Sequence, residues 1–349
     1  MSALPSSATA TSDARTVEGA SPWCQEAEVW LREVVRAWLG GAPGGGIEWV
    51  RESPWSLVVR MPTEAGFVYF KASRRASHHE AAVVDELARA WSDRVPAPLA
   101  VDAVRGWMVL KGHGRTLAAD PDEGKSLDLW ARLLPLYAEM QVASALRVER
   151  WRSLGVPDHG LDVLPGLLED LLGDDVAIGL GRPGGVGAEE RRLLRALVPE
   201  FRRLCRDLAA MPLSTALDHG DLHAANVLRD GEEYRFFDWG DASLSHPFAS
   251  LLPVYEMFGL SADGRHGSAE AARVRDAYLE PWSSIVPSKS RPRTVAAAVW
   301  VAHVGRALGW HRVLRSADAV ARRRWRPLVA RWLRLWLARR QFLVLEAAP

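Results

Sequence analysis

The chain is expected to fold as an α+β protein in two parts, an N-terminal antiparallel sheet with one main helix and a larger, mainly helical C-terminal part. Three observations carry that reading. Between residues 47 and 110, five short runs rich in β-branched and aromatic residues alternate with turn residues. One amphipathic stretch, 78–91, interrupts them, and beyond residue 111 every remaining long segment repeats its apolar residues at helical spacing. A length of 349 residues is also long for one core and natural for two.

Taken in order, residues 1–22 are small and polar and read as a disordered tail. Val29, Leu31, Val34, Val35, Trp38 and Leu39 recur at helical spacing, and Gly40 with Gly41 ends that helix. Ile47 to Val50, Leu57 to Met61 and Phe67 to Ala72 form a three-strand meander whose last strand carries Lys71 near its end. Glu80 stands in the first turn of the following helix, where the helix dipole alone already favours a carboxylate. Leu99 to Ala103 and Gly106 to Leu110 complete five strands, so 23–111 is one lobe, 112–116 a connector and 117–349 the helical lobe. Within the latter, a helical run from Leu127 to Trp151 should kink at Pro135. Further helices are expected at 161–172, 188–211, 244–258, 273–282, 295–314 and 321–345. Residues 179–187 form a loop too rich in glycine to hold one conformation without a partner.

Composition narrows the function. With 44 basic against 43 acidic side chains, charge gives no reason to expect a nucleic-acid partner. Cys24 and Cys205 are far apart, with no second ligand at metal spacing, so neither a disulfide framework nor a zinc site is expected and the compartment reads as reducing, hence cytoplasmic. No stretch has the roughly 18 uninterrupted apolar residues of a membrane helix. Of the sixteen tryptophans several sit among Leu and Val at helical spacing, so most read as core or lobe-interface filler rather than ligand platforms. From Leu244 onward 17 basic residues face 7 acidic ones, and these arginines read as a solvated face whose stems cover apolar surface.

Chemistry concentrates in Asp218 to Asp241, DHGDLHAANVLRDGEEYRFFDWGD. Phosphoryl transfer needs a carboxylate to orient an acceptor hydroxyl and hard oxygen ligands to hold Mg²⁺ against phosphate oxygens. Asp221, in a tight His-Gly-Asp turn, suits the first role; Asn226 and Asp238 suit the second. Singly, Asp218 and Asp221 are also ordinary turn residues, Asn226 a strand-end cap and Asp238 a loop carboxylate. Jointly, with Lys71 and Glu80 upstream and the switch from strands to helices between them, the set favours chemistry over coincidence.

His219-Gly220-Asp221-Leu222-His223-Ala224-Ala225-Asn226 followed by Asp238-Trp239-Gly240 resembles the catalytic loop and metal motif of the aminoglycoside phosphotransferase and choline kinase family, a branch of the protein-kinase-like two-lobed fold. The resemblance runs from about Trp23 to the end of the chain. It implies ATP and Mg²⁺ as cofactors, Asp221 as catalytic base, Asn226 and Asp238 as magnesium ligands, Lys71 on the ATP phosphates and Glu80 orienting Lys71. It makes His219 a structural hydrogen-bonding residue and leaves His223 as either a packed loop residue or one facing the substrate. Three departures stand out. The turn Arg51 to Ser56 has no glycine fingerprint; the segment His246-Pro247-Phe248-Ala249-Ser250 lacks the Asp that braces the loop in family members; and the late helices are rich in arginine where a polycationic drug would need carboxylates.

The leading expectation is therefore an ATP- and Mg²⁺-dependent phosphotransferase acting on a hydroxyl of a small molecule, whether sugar, amino sugar, amino alcohol or antibiotic, with no nucleic acid or membrane partner. The alternative is a catalytically silent nucleotide-binding or scaffold protein, whose signature would be loss of the base, a metal ligand or the strand lysine; none is lost. A protein kinase ranks last, because no Ala-Pro-Glu ending follows Asp238-Trp239-Gly240. The sequence leaves the oligomeric state open.

Overall fold

A computed structural model describes residues 22–40, 45–112, 114–213, 215–260, 269–287 and 291–345, so the expected tail up to residue 21, and His113 of the expected connector, lie outside the described residues. The α+β expectation is met. In chain order the elements begin with α1 (Pro22–Leu39), β1 (Glu48–Glu52), β2 (Ser56–Thr63), β3 (Gly66–Ser73), α2 (Glu80–Ala90), β4 (Pro98–Asp102), β5 (Trp107–Lys111), β6 (Arg115–Thr116) and α3 (Pro121–Gly124). Then follow α4 (Leu127–Ser144), α5 (Val148–Ser153), α6 (Leu164–Gly173), α7 (Ala188–Ala209), β7 (Ala216–Asp218), β8 (Val227–Asp230), β9 (Glu233–Phe236) and β10 (Ser243–Ser245). The chain closes with α8 (Leu251–Phe258), α9 (Ala269–Leu279), α10 (Arg291–Ser316) and α11 (Ala319–Leu345). They form two compact units: the chain up to Gly124 with Ala224–Gly240, and Lys125–His223 with the chain from Asp241 onward.

In the first unit, β1 to β5 make one antiparallel sheet in the order β1-β2-β3-β5-β4. Alternation along the strands fixes which residues share a face. Leu57, Val59 and Met61 of β2, Val68, Phe70 and Ala72 of β3, and Trp107 and Val109 of β5 bury themselves with Ala27, Leu31 and Val35, which recur every fourth residue along α1. Trp30, Phe70 and Trp107 close that core with ring centroids 5.6 to 6.0 Å apart. Parity then sends Tyr69, Lys71 and Ser73 to the opposite face. A smaller sheet, β6-β8-β9, belongs to the same unit and pairs Val227 with Phe236.

The second unit is helical around the two-stranded ribbon of β7 and β10. The expected run from Leu127 to Trp151 continues through Pro135 but breaks at Ser144 into a short 3₁₀ turn before α5. Ser144 explains the break: its Oγ donates to Gln141 O at 2.8 Å and accepts the Leu217 amide at 3.0 Å, while Trp151 Nε1 donates to Ser144 O at 3.0 Å. The glycine-rich loop does have a partner, for Arg334 of α11 donates to Gly185 O at 2.6 Å and the Pro327 ring lies against Gly184. Phe201, Trp300 and Trp336 pack together, and Trp300 Nε1 donates to Trp336 O at 2.9 Å. On α11, Arg322, Arg323 and Arg324 are exposed as expected, but on α10 Arg306 and Arg312 turn inward. Among the described residues no helix is long and apolar enough to cross a membrane.

His303 of α10 is fully buried. Its Nδ1 donates to Val299 O at 2.8 Å and its Nε2 accepts from Arg339 at 3.0 Å, so the ring is neutral. Burial, and then the Arg339 charge, push it down to about 3. A histidine lowered by folding binds its proton more readily when unfolded, so its contribution is complete above about pH 6.5 and is lost as pH falls toward 3. Urea melts should show His303 alone costing about 2 kcal/mol at pH 5 relative to pH 8. An unchanged pH slope in His303→Asn would remove it as the source.

Candidate functional site

The first unit carries an ion cluster on the sheet face opposite α1. Lys71 Nζ donates to Glu80 Oε1 and to Asp238 Oδ1, each at 2.6 Å, and Arg51 stands 3.7 Å from Asp238 Oδ2. Glu80, the first residue of α2, is fully buried, and its second oxygen accepts from Ser73 Oγ at 2.6 Å. Burial works to lower the Lys71 ammonium, but Asp238 and Glu80 more than offset it and hold it above its ordinary value. Burial pushes the Glu80 carboxyl up, and the Lys71 charge and two hydrogen bonds pull it back. Gly240 packs closely on this pair: a Cβ there would stand 3.2 to 3.3 Å from Glu80 and Ser77.

The β8–β9 hairpin delivers Asn226 and Asp238 together. Register pairs Val227 with Phe236, and the Phe237 amide donates to Asn226 O at 3.1 Å, which sets the two side chains at one end of the hairpin. Asn226 is buried, and Asp238 has φ +64°, the one non-glycine residue in the left-handed region among those described. Their donor set, an amide oxygen and a carboxylate, fits Mg²⁺, which takes few protein oxygens and completes its shell with water and phosphate. Among the described residues no group of three or more His, Cys, Asp or Glu side chains forms a ready-made cage.

The second unit carries Asp221. Arg306 of α10 donates to Asp221 Oδ1 at 2.8 Å, to Gly220 O, and to Asp241 Oδ2 at 3.3 Å. His223 Nε2 lies 3.2 Å from Asp221 Oδ2, so His223 packs on the carboxylate itself. Burial would raise the Asp221 carboxyl, but Arg306 and then His223 hold it well below the usual carboxylate range. Gly220, at φ +77° with its Cα against Asp241 O, has room for no side chain. His219 is fully buried; its amide donates to Tyr137 Oη at 2.9 Å and its Nδ1 faces the Asp221 amide at 3.4 Å.

The bracing that the sequence left unexplained comes from Asp218. Its carboxylate accepts from Ser250 Oγ at 2.5 Å, Ser245 Oγ at 3.4 Å and the Gly220 amide at 3.1 Å. Ser250 Oγ in turn lies 3.0 Å from Tyr137 Oη and accepts from Gln141 Nε2 at 3.0 Å, and Tyr278 donates to Gln141 Oε1 and Pro247 O. A buried carboxylate on the loop thus stands against a hydroxyl on the segment after Asp238-Trp239-Gly240. His246 caps the same segment by accepting the Phe248 amide at 3.2 Å, and burial pushes its ring down to about 3.

Lys71, Glu80, Asn226 and Asp238 therefore lie in the first unit and Asp221 in the second. Sequence reasoning missed Arg306, Asp241 and the role of Asp218. The signal for Arg306 is an arginine inside an otherwise apolar helical stretch, VAHVGRALGW, and for Asp218 a carboxylate directly after the buried Ala-Leu pair.

A model of the phosphotransferase enzyme family matches residues 48–293. The chain belongs to that family. Among solved structures, choline kinase LicA from Streptococcus pneumoniae is similar over 90% of this chain and 99% of its own, with 12% identity and a TM-score of 0.58. Macrolide 2'-phosphotransferase type I covers 89% and 98% with 15% identity and a TM-score of 0.54. Spectinomycin phosphotransferase in complex with ADP and spectinomycin covers 90% and 98% with 11% identity and a TM-score of 0.52. At such identities the likeness is one of fold, that of small-molecule phosphotransferases and kinases. No curated protein sequence matches the chain.

Two stability measurements check the geometry. Glu80→Ala leaves a buried ammonium with one carboxylate fewer and should cost about 3 kcal/mol in urea unfolding. Asp218→Ala strands Ser250 and the Gly220 amide and should cost about 2 kcal/mol, whereas Asp218→Asn, still an acceptor for both, should lose less than half of that. Equal losses in the two Asp218 variants would remove the hydrogen bonds as the cause.

Proposed function

We propose that the chain is an ATP- and Mg²⁺-dependent kinase that transfers the γ-phosphoryl group to a hydroxyl of a small molecule. The observation that carries the reading is Lys71, buried on the sheet between Glu80 and Asp238. An ammonium held by two carboxylates, one of them in a strained backbone conformation, is positioned at a cost that a purely structural lysine gives no reason to bear. In this reading Lys71 contacts the ATP phosphates and Glu80 orients Lys71. Asn226 and Asp238 would hold Mg²⁺, which when bound neutralises phosphate charge. The solved relatives crystallised with ADP or with AMP-PNP support a nucleotide as donor.

Asp221 takes the part of the catalytic base. Because Arg306 keeps it ionised well below neutral pH, it is a weak proton acceptor, and its main work is to orient the acceptor hydroxyl by accepting its hydrogen bond. Full proton transfer then follows once the oxygen has begun to bond to phosphorus and become acidic. Arg306 is a positioning residue: it fixes the carboxylate and the Gly220 carbonyl in one geometry. Neither nucleic acid nor membrane enters this reading, and the cytoplasm is its setting.

Asp221→Asn should lower kcat by about 10² to 10⁴ while ATP affinity stays within about threefold; unchanged turnover would remove Asp221 from the role. Asp238→Ala should abolish the part of ATP binding that depends on Mg²⁺, as read by calorimetry with and without the metal. For Arg306→Gln the sign is set by the ion pair: without the guanidinium the Asp221 carboxyl rises, so the acid limb of the kcat/KM profile should move up by about one pH unit or more. A limb that stays in place would show that Asp221 does not control it.

A further inference from the structure

Arg312 of α10 is the charge that the proposed chemistry does not use. None of its three guanidinium nitrogens is open to solvent, and none has a hydrogen-bond partner among the described residues. The residue as a whole is only half-buried, so what exposure it has lies on its other atoms. That reverses the usual arginine habit, in which the stem is covered and the charged head reaches water. A guanidinium shut away without an acceptor carries a desolvation penalty that the charge of Asp241 offsets only in part.

Two glycines precede it on its own face of the helix. Gly305, Gly309 and Arg312 follow at spacings of four and three, which puts them on one face of α10. A side chain at Gly309 would meet nothing within 4 Å, and one at Gly305 only the His159 ring, 3.6 Å away. His159 is held there by main chain, since its amide donates to Leu244 O and the Leu244 amide donates to Pro157 O, both at 2.8 Å. Its ring makes no hydrogen bond among the described residues and is neutral, because burial and then the Arg312 charge push it down to about 3. Asp241, the carboxylate whose charge reaches Arg312, is already hydrogen-bonded by Arg306. The helix itself, 291–316, contains no acidic residue. Arg312 is therefore a cation whose neighbouring carboxylate is already taken up by Arg306, the arginine that grips Asp221, six residues earlier along the helix or roughly 9 Å of axial rise.

We propose that Arg312 is an oxyanion site for the acceptor, so that the molecule phosphorylated is a small hydroxy compound carrying a carboxylate or phosphate, its anionic group on Arg312 and its hydroxyl toward Asp221. The proposal rests on the kinase reading for the word acceptor, but the oxyanion site itself does not. A planar guanidinium with free donors suits a carboxylate or a phosphate equally. Polycationic acceptors find no carboxylates on α10 to meet them.

Two experiments on the full chain test it. The first is thermal melting with inorganic phosphate, and with acetate in a parallel arm, for the wild type, Arg312→Met and Lys71→Met. Phosphate should raise the melting temperature of the wild type and of Lys71→Met but not of Arg312→Met. Without anion, Arg312→Met should melt at or above the wild-type temperature, because it removes an unneutralised buried charge. A lower melting temperature for that variant, stabilisation retained in it, or no stabilisation of the wild type each overturns the proposal. Stabilisation by phosphate alone would assign the site to phosphate esters, and by acetate as well to carboxylates. The second is ADP release from Mg-ATP across matched pairs, hydroxy acids with their amides and sugar phosphates with their sugars, beside aminoglycosides and amino alcohols. Anionic members should turn over, and Arg312→Gln should raise their KM roughly 10- to 100-fold with a smaller fall in kcat. Turnover confined to neutral or cationic members overturns the oxyanion site and leaves the kinase intact. Silence across the panel, with phosphate stabilisation still dependent on Arg312, sinks the kinase reading and keeps the site.

Discussion

The first unit is arranged around one buried ammonium. Lys71 reaches the sheet face away from α1 only because Phe70 and Ala72 on either side commit the opposite face to the apolar core. Once there, it needs carboxylates from two directions, and the unit supplies them from separate elements. Helix α2 begins on Glu80, and the β8–β9 hairpin ends on Asp238 in a left-handed conformation that only a fixed surrounding sustains. Gly240 keeps the next turn thin enough to lie on Glu80. Sheet, helix and hairpin thus share one charge requirement, and a change in any of them is felt at the lysine.

In the second unit the corresponding constraint is a guanidinium. The loop that carries Asp221 turns left-handed at Gly220 and leaves Asp221 ionised, and Arg306 meets both needs by taking the Gly220 carbonyl and the Asp221 carboxylate at once. Asp218 holds the loop from behind through Ser250, and Tyr137 ties the His219 amide into the same network. The hydroxyl of Ser250 can donate once and accept twice, and the observed contacts use all three capacities. That saturation is why a serine serves here: the negative charge stands on the loop, and its partner needs only a proton to offer.

What was legible in the sequence was what neighbours in sequence determine. The five strands, α2 and the Lys71 and Glu80 pair follow from alternation, from turn residues and from a separation of nine residues. The Asp221 loop follows from its own glycine and carboxylates. Arg306 and Ser250 were not legible in the same way, because their partners stand 85 and 32 residues distant and nothing local distinguishes Arg306 from the solvated Arg315 except its apolar surroundings. The break at Ser144 was missed for a related reason. Helical periodicity continues through it, and only the Leu217 amide, 73 residues away, makes the serine worth more as an acceptor than as a helix residue.

The arginine content of the late helices bears on the acceptor, but not through its total. Arg322, Arg323 and Arg324 on α11 are exposed, and water and salt screen them within a Debye length of about 8 Å, so they say little about what binds elsewhere. Arg306 is matched by Asp221 at 2.8 Å and adds little net field beyond that pair. Arg312 is desolvated and, among the described residues, has no hydrogen-bond partner on any of its three guanidinium nitrogens, and in a low-dielectric surrounding one such charge outweighs a solvated stripe. On the proposed reading, acceptor charge would be decided by a single residue whose burial, not its number among many arginines, gives it force. A formal net charge of only +1 is compatible with the proposed anion site, because local desolvation sets a preference where a ligand would sit, and much of the remaining charge is balanced by ion pairs.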